Sequence, residues 1–286
     1  MKIARFTYGG NTYTGILQNG KLHRCTGDIY QGDFSFEADG IPLSEVKLET
    51  PSLPTKIVAV GKNYSEHIKE MGGPVPETPI LFIKPSTSLI ADGENIIFPE
   101  ESQRVDHEAE LCLIIKKTAS KVKKEDFKEY VLGYSCLNDV TARDIQKKDG
   151  QWTRAKSYDT FAPFGPWMET DIDPNNVKVS ARVNGEVRQS ASTNLFLYTV
   201  GELLEFITAG ITLLPGDVVT TGTPSGISAM KKGDVVEIEV EGIGILKNYC
   251  KKTKKELRLI AKLLFYQLFS ITSSTGLGTK FETSLW

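Results

Sequence analysis

Glu108 and Glu110 stand two residues apart in Arg104-Val-Asp-His-Glu-Ala-Glu-Leu-Cys-Leu-Ile-Ile-Lys, just ahead of an apolar run. That run predicts a strand with β-branched residues at its end. In a strand, residues i and i+2 point to one face, about 6–7 Å apart along the chain. Two carboxylates held there repel each other unless a cation or a shared proton lies between them. Taken alone, such a pair fits a solvated sheet edge better than a site. Its company changes the balance. Asp139 lies in a second strand-like run, Gly133-Tyr-Ser-Cys-Leu-Asn-Asp-Val, with Arg143, Gln146 and Lys156 downstream. Three carboxylates are hard oxygen donors and suit Mg²⁺ or Mn²⁺ far better than zinc. Asp106 shares the face of the two glutamates and is expected behind them, whereas His107 alternates with them and should face away.

His67 and Glu70 are three residues apart on a predicted helix and so share one face. Such a pair is common as a solvated ion pair. Between a strand and the breaker-rich stretch Gly72-Gly-Pro-Val-Pro-Glu-Thr-Pro, it reads as an acid/base dyad under a lid. Near a metal, Arg143, Gln146 and Lys156 are donors for an anionic, carbonyl-bearing ligand: Arg for a carboxylate, Lys for a developing oxyanion. Thr220-Thr-Gly-Thr-Pro-Ser-Gly is either a substrate loop of small residues or a plain turn with hydroxyl-to-backbone bonds. It lacks the Gly-Lys-Ser/Thr that closes a P-loop.

The elements that must position these groups are mostly strands. Residues 1–50 read as a small β unit with a hairpin at Gly9-Gly10-Asn11. Pro51-Ser-Leu-Pro54 marks a linker, and residues 55–250 read as a β-rich body. Strands are predicted at 56–60, 80–83 and 95–98, with a helical turn at 123–130. Residues 148–166 read as polar and irregular, with a turn at Pro163-Phe-Gly-Pro166. Asn184-Gly185 predicts a two-residue hairpin. Thr199-Val-Gly-Glu202 has capping-box spacing, followed by the helical stripe Val200, Leu203, Leu204 and Ile207. Residues 251–286 change character to a basic amphipathic helix, then a polar segment expected to fray.

Composition narrows the classes. At 286 residues the chain can bury a full core, and its net charge of −2 argues against a nucleic-acid binder. The four cysteines are scattered without a Cys-x-x-Cys pair, which points to a reducing, cytoplasmic setting. The first residues lack the apolar core of a signal peptide, and no apolar run approaches a membrane span.

A set of ordered blocks carries a resemblance. They are Gly61-Lys-Asn-Tyr-Ser-Glu-His-Ile-Lys-Glu, Phe82-Ile-Lys-Pro, Asp106-His-Glu-Ala-Glu, Asn138-Asp-Val-Thr-Ala-Arg-Asp-Ile-Gln and Lys156-Ser-Tyr-Asp-Thr-Phe-Ala-Pro-Phe-Gly-Pro, then Asn184-Gly, Pro215-Gly-Asp and Thr221-Gly-Thr-Pro. As a set, spanning 56–249, they resemble the fumarylacetoacetate hydrolase family. The likeness is closest to its bacterial and archaeal branch of acylpyruvases, oxaloacetate decarboxylases and 2-hydroxyhepta-2,4-diene-1,7-dioate isomerases. Residues 1–50 look like the small N-terminal domain of that branch. The resemblance implies a β-rich α+β chain built as a mixed β-sandwich roll, usually a homodimer. It implies Mg²⁺ or Mn²⁺ on Glu108, Glu110 and Asp139, proton transfer by His67 and Glu70, and substrate contacts from Arg143, Gln146, Lys156 and Thr223.

The expected activity is cleavage of a C–C bond in a 2-oxo acid through a metal-stabilised enolate: acylpyruvate or fumarylpyruvate hydrolysis, or oxaloacetate decarboxylation. Isomerisation of the seven-carbon dienedioate is the alternative. From other classes, a non-catalytic metal- and anion-binding member is opposed by the intact His67/Glu70 pair. A membrane-binding protein using the basic tail is the other rival. Beyond Asn248 the chain departs from the family pattern, and its continuation reads as a partner helix or a frame-shifted stretch.

Overall fold

The computed structural model describes residues 1–251, and their fold is mostly β. The expected helix and tail lie beyond Lys251, outside the described residues. One long sheet runs in the order Asp33–Pro42, Lys21–Asp28, Asn11–Gln18, Lys2–Tyr8, Ala162–Glu169, Val131–Asn138, Ala109–Ile115, Val218–Thr220, Lys56–Gly61, Ile80–Pro85. Most neighbours are antiparallel, but Val218–Thr220 runs parallel to Lys56–Gly61, so the sheet is mixed. The first four strands join it where Lys2 and Ile3 pair with Glu169 and Met168. A second sheet orders Glu186–Ser192, Lys178–Val183, Val235–Val240, Gly244–Lys251 and Asn95–Ile97. A small third sheet holds Thr141–Ala142, Val105–His107 and Ser228–Ala229.

Side-chain alternation turns the two larger sheets into a sandwich. Leu111, Leu113, Tyr134 and Cys136 of the long sheet share one core with Val179, Ala181, Val236 and Ile238 of the second. Cys112, Ile114 and Leu137 point the other way and pack with Ile3, Ile57, Phe164 and Met168. Both faces are therefore covered, and all seven residues of Ala109–Ile115 are buried. Each aliphatic side chain buried this way is worth about 1.5–3 kcal/mol relative to exposure. Glu110 is thus mounted on a strand buried along its whole length, with Glu108 just before it. Among the described residues no helix is long and apolar enough to cross a membrane.

Local signals produced the elements they predict where the chemistry is short-range. Asn184 and Gly185 adopt φ of 53° and 81°, the left-handed pair a two-residue hairpin requires, between Lys178–Val183 and Glu186–Ser192. Thr199 and Glu202 form the reciprocal capping box, and the helix Val200–Thr208 buries Val200, Leu203, Leu204 and Ile207.

Two expectations are corrected and one element is added. Residues 148–166 are not irregular: they hold a helix at Thr153–Lys156 and the strand Ala162–Glu169, which runs through both prolines of the expected turn. The ladder opposite slips register between Tyr134 and Cys136, and an irregular register is where a strand tolerates proline. The strand expected to carry both Glu108 and Glu110 is broken at Glu108, between Val105–His107 and Ala109–Ile115. A helix at Arg143–Asp149, absent from the pattern reading, places Arg143 and Gln146 one turn apart.

Candidate active site

The break at Glu108 brings the acidic residues together. Glu108 N–H donates to Asn138 Oδ1 at 3.0 Å, and Asp139 N–H donates back to the Glu108 carbonyl at 2.9 Å. Ala109 pairs with Asn138 and Glu110 with Leu137, so the start of one strand is fastened to the end of the next. Ligand oxygens of Glu108, Glu110 and Asp139 consequently lie within 4.8 Å of one another, all buried.

Cations compensate two of these carboxylates directly. Lys156 Nζ donates to Glu108 Oε2 at 2.7 Å and to Asp139 Oδ2 at 2.5 Å. Lys84 Nζ donates to Asp139 Oδ1 at 2.7 Å. Arg143 bonds Glu108 through Nη2, Asp106 Oδ2 through Nε at 2.9 Å and Gln146 Oε1 through Nη1 at 2.7 Å. Glu110 differs: its bond in the site comes from the Gly222 N–H, 2.9 Å to Oε2. Burial would raise the Glu108 carboxyl, but Lys156, Arg143 and His67 outweigh it and hold Glu108 well below the usual range. Burial pushes the Glu110 carboxyl well above that range, and Asp139 and Glu108 add repulsion. Burial draws the Lys84 ammonium down despite Asp139. For Lys156, Asp139 and Glu108 more than offset burial and raise it.

The chemistry of this donor set can be tested against a cation. Glu110 is a buried carboxylate without a cationic partner among the described residues. The Tyr64 hydroxyl, which Glu110 influences electrostatically, is buried without a hydrogen-bond partner among the described residues. Three converging carboxylates, one of them uncompensated, fit a hard divalent cation and not a metal that seeks thiolate or imidazole.

The second group sits on the helix Ser65–Met71, which buries His67 and Ile68. His67 Nδ1 lies 3.2 Å from Glu70 Oε2, and the Gly226 N–H donates to Glu70 Oε1 at 3.0 Å. A carboxylate on Nδ1 favours the Nδ1–H tautomer and leaves Nε2 as the acceptor. His67 lines the cleft together with Glu108, Glu110, Asp139, Arg143, Gln146, Lys156 and Thr223. Glu70 stands behind His67. The loop leading into this helix is clamped by Asn63, whose amide donates to Thr221 O and Tyr198 O and accepts from Tyr198 N–H.

The structure therefore gathers the residues singled out from sequence, but engages several of them differently. Thr223 Oγ1 donates to Ala109 O at 2.9 Å and accepts from Gln189 Nε2 at 2.8 Å, so its hydroxyl serves the scaffold. His107 faces away as expected, bonded to Gln189 and Ser228. Asp106 stands behind the triad, between Arg104 and Arg143. The Thr220–Gly226 loop, ambiguous in sequence, supplies the N–H groups of Gly222 and Gly226 to Glu110 and Glu70. Both glycines are left-handed, at φ 90° and 97°, and a Cβ on Gly226 would lie 2.0 Å from Arg188 O.

Sequence reasoning overlooked Lys84 and Gln189. Lys84 left a readable trace, since it shares the parity of buried Phe82 in Ile80–Pro85, where a lysine has no place on an apolar face. Gln189 left none. It joins His107, Ala109, Thr223 and Pro224 across the site, and that convergence exists only in three dimensions.

Comparison with known proteins fits this geometry. Residues 56–251 match the family described as fumarylacetoacetate (FAA) hydrolase C-terminal, and residues 1–51 match that described as Rv2993c-like, N-terminal. An uncharacterized protein of Archaeoglobus fulgidus is 48% identical over 243 residues, 82% of this chain and 96% of its own. The mitochondrial oxaloacetate tautomerase FAHD2A of Bos taurus is 41% identical over 221 residues, 73% of this chain and 70% of its own. The crystal structure of 5-carboxymethyl-2-hydroxymuconate delta-isomerase from Mycobacterium smegmatis superimposes with a TM-score of 0.83 at 40% identity, covering 88% of this chain and 100% of that one.

Proposed function

The chain belongs to the fumarylacetoacetate hydrolase family, and from that premise we propose a Mg²⁺- or Mn²⁺-dependent hydrolase or lyase that cleaves a C–C bond of a 2-oxo acid. Acylpyruvates, fumarylpyruvate and oxaloacetate are the substrates considered. One observation carries the reading: three converging buried carboxylates share a cleft with a histidine whose Nδ1 is taken by Glu70. Glu108, Glu110 and Asp139 would hold the cation, which when bound supplies Lewis-acid stabilisation to the negative charge that develops on a 2-oxo acid.

The remaining work falls to the chain's own groups. His67 Nε2 takes a proton from water as the water adds to the distal carbonyl, and Glu70 steadies the imidazolium. Two N–H groups of Lys156 are on Glu108 and Asp139, and the third, on an ammonium that also lies 5.1 Å from the Phe82 ring centroid, is the one offered to the oxyanion. Collapse of the tetrahedral carbon breaks the C–C bond, releasing a carboxylic acid and pyruvate enolate. The imidazolium returns its proton to the enolate carbon. Arg143 and Gln146, one turn apart, direct their remaining N–H groups to the substrate carboxylate. Oxaloacetate needs no attacking water, because loss of CO₂ leaves the same enolate.

A second reading, isomerisation or tautomerisation, is favoured by the names of the two named relatives, a tautomerase and a delta-isomerase. It uses the same histidine to move one proton and no water. Assay with Mg²⁺ of acetylpyruvate, fumarylpyruvate, oxaloacetate and the seven-carbon dienedioate separates the two. We expect pyruvate release. Rearrangement of the dienedioate, or keto–enol exchange of oxaloacetate, without pyruvate would replace the first reading by the second. No turnover of any of the four would end both.

A further inference from the structure

Three cationic side chains line the cleft, and two of them are already engaged. Arg143 is bonded to Asp106, Glu108 and Gln146, and Lys156 to Glu108 and Asp139. The third is Lys62. Among the described residues its ammonium has no hydrogen-bond or ion-pair partner, although the residue is half-buried. Its backbone is left-handed, at φ 59°, a conformation a lysine rarely adopts, and the clamped Asn63 follows it directly. Lys62 Nζ would lie 3.6 Å from a Cβ placed on the exposed Gly73, just past the end of the helix Ser65–Met71. The charge therefore stands at the solvent end of the cleft, with the buried carboxylates at the other.

The same cleft also has apolar walls. Trp152 meets Phe82 edge-on, with ring centroids 5.4 Å apart, and closes so tightly on the loop that a Cβ at Gly61 would lie 2.4 Å from its ring. Met71 lines the same cleft. An anion-receiving inner end, apolar walls and an unpaired outer cation match a molecule with a 2-oxo acid head, a short carbon chain and a second carboxylate. Glu70 does not satisfy the cation, since its carboxylate is turned to His67 and Gly226.

Building on the 2-oxo acid reading above, we infer that Lys62 is a specificity-determining residue that pairs with the distal carboxylate of a 2-oxo dicarboxylic acid. Neutral-tailed acylpyruvates are then the poorer ligands of this cleft.

Two unreactive ligands of equal chain length isolate this contact: 2-oxoglutarate carries the distal carboxylate and 2-oxopentanoate does not. Their affinities for the full-length, Mg²⁺-loaded protein are measured by calorimetry. The wild type should prefer 2-oxoglutarate by about 10-fold or more, the scale of a partly desolvated charge-assisted bond. Lys62→Met should abolish the preference by weakening 2-oxoglutarate alone. Lys62→Asn, whose side chain tolerates the left-handed backbone, should do the same and guards against a folding defect. Lys62→Arg should restore it. Equal wild-type affinities, equal weakening of both ligands in Lys62→Asn, or binding of neither ligand would overturn the inference. If the preference and its loss hold while no assayed substrate is turned over, the reaction proposed above falls and the assignment of Lys62 stands. Pyruvate release without any preference leaves the reaction standing and removes Lys62 from it.

Discussion

Glu108 and Glu110 are two residues apart and are driven in opposite directions: Lys156 and Arg143 bond Glu108 and outweigh its burial, whereas burial and the neighbouring carboxylates outweigh the weaker pull of Lys156 on Glu110. Each direction has a stability consequence of definite sign. Glu108 sits below its ordinary 4.5, so its contribution is present above that pH and is lost as pH falls through the depressed value. Glu110 sits above 4.5, so its contribution is present below that pH and is lost as pH rises through the raised value. In EDTA the protein should therefore lose stability as pH climbs above 4.5 through the raised value of Glu110, and Glu110→Gln should flatten that decline. On the proposed function, Mg²⁺ or Mn²⁺ would take the place of the Glu110 proton, so its stabilisation should grow over the same interval. Denaturant unfolding across pH with and without metal checks both points, and an unchanged slope in Glu110→Gln would exclude Glu110 as the source. Activity should vanish in EDTA and return with either metal.

At the same scale, Glu70→Gln keeps the shape of the dyad and removes its charge. Hydrolysis of an acylpyruvate should fall about 10²–10⁴-fold with KM little changed. Oxaloacetate decarboxylation, which activates no water, should fall less. Steady-state kinetics on both substrates decide it, and equal losses would make Glu70 an anchor for Gly226 instead of a partner of His67.

Among the elements, the Thr220–Gly226 loop is the most consequential, since it holds Glu110 at one end and Glu70 at the other through backbone N–H groups. Gly226→Ala meets both a positive φ and a carbonyl 2.0 Å away. It should destabilise by more than about 1 kcal/mol and lower kcat as Glu70 shifts. The helix Val200–Thr208 provides the contrast. Thr199→Ala opens its capping box and should cost about 0.5–2 kcal/mol, yet leave kinetics near wild type, because the cap touches no group of the site. Thermal unfolding and kinetics measured side by side on the two variants separate scaffold from site. Resistance of Gly226→Ala in both measurements would mean that the loop can re-form elsewhere.

Across the described residues, the second sheet covers one face of the central strand and side chains of the long sheet itself cover the other, and the cleft residues discussed lie between Gly61 and Gly226. Truncation after Lys251, which retains the last described strand, should leave kcat within a few-fold of the full chain. Loss of turnover with the fold intact would show that residues 252–286 complete the site. Sedimentation of the two forms with anionic liposomes tests the membrane-binding reading of that segment independently.

The sequence by itself determined the donor types, the helix cap, the hairpin at Asn184-Gly185 and the strand parity. Each of these depends on residues within a few positions of one another. It also placed Glu108, Glu110 and Asp139 in one candidate set, because the glutamate pair, ambiguous alone, is joined by a third hard oxygen donor with Arg143, Gln146 and Lys156 downstream. Only the tertiary structure decided how those groups are partnered. The break at Glu108, the strand through Pro163 and Pro166, and the burial of Lys84 against Asp139 all depend on pairings between distant segments. Gln189 reaches Ala109 across 80 positions, and Gly222 reaches Glu110 across 112. Local propensity carries no record of such contacts, because the register that creates them is chosen by the packing of two sheets and not by any one strand.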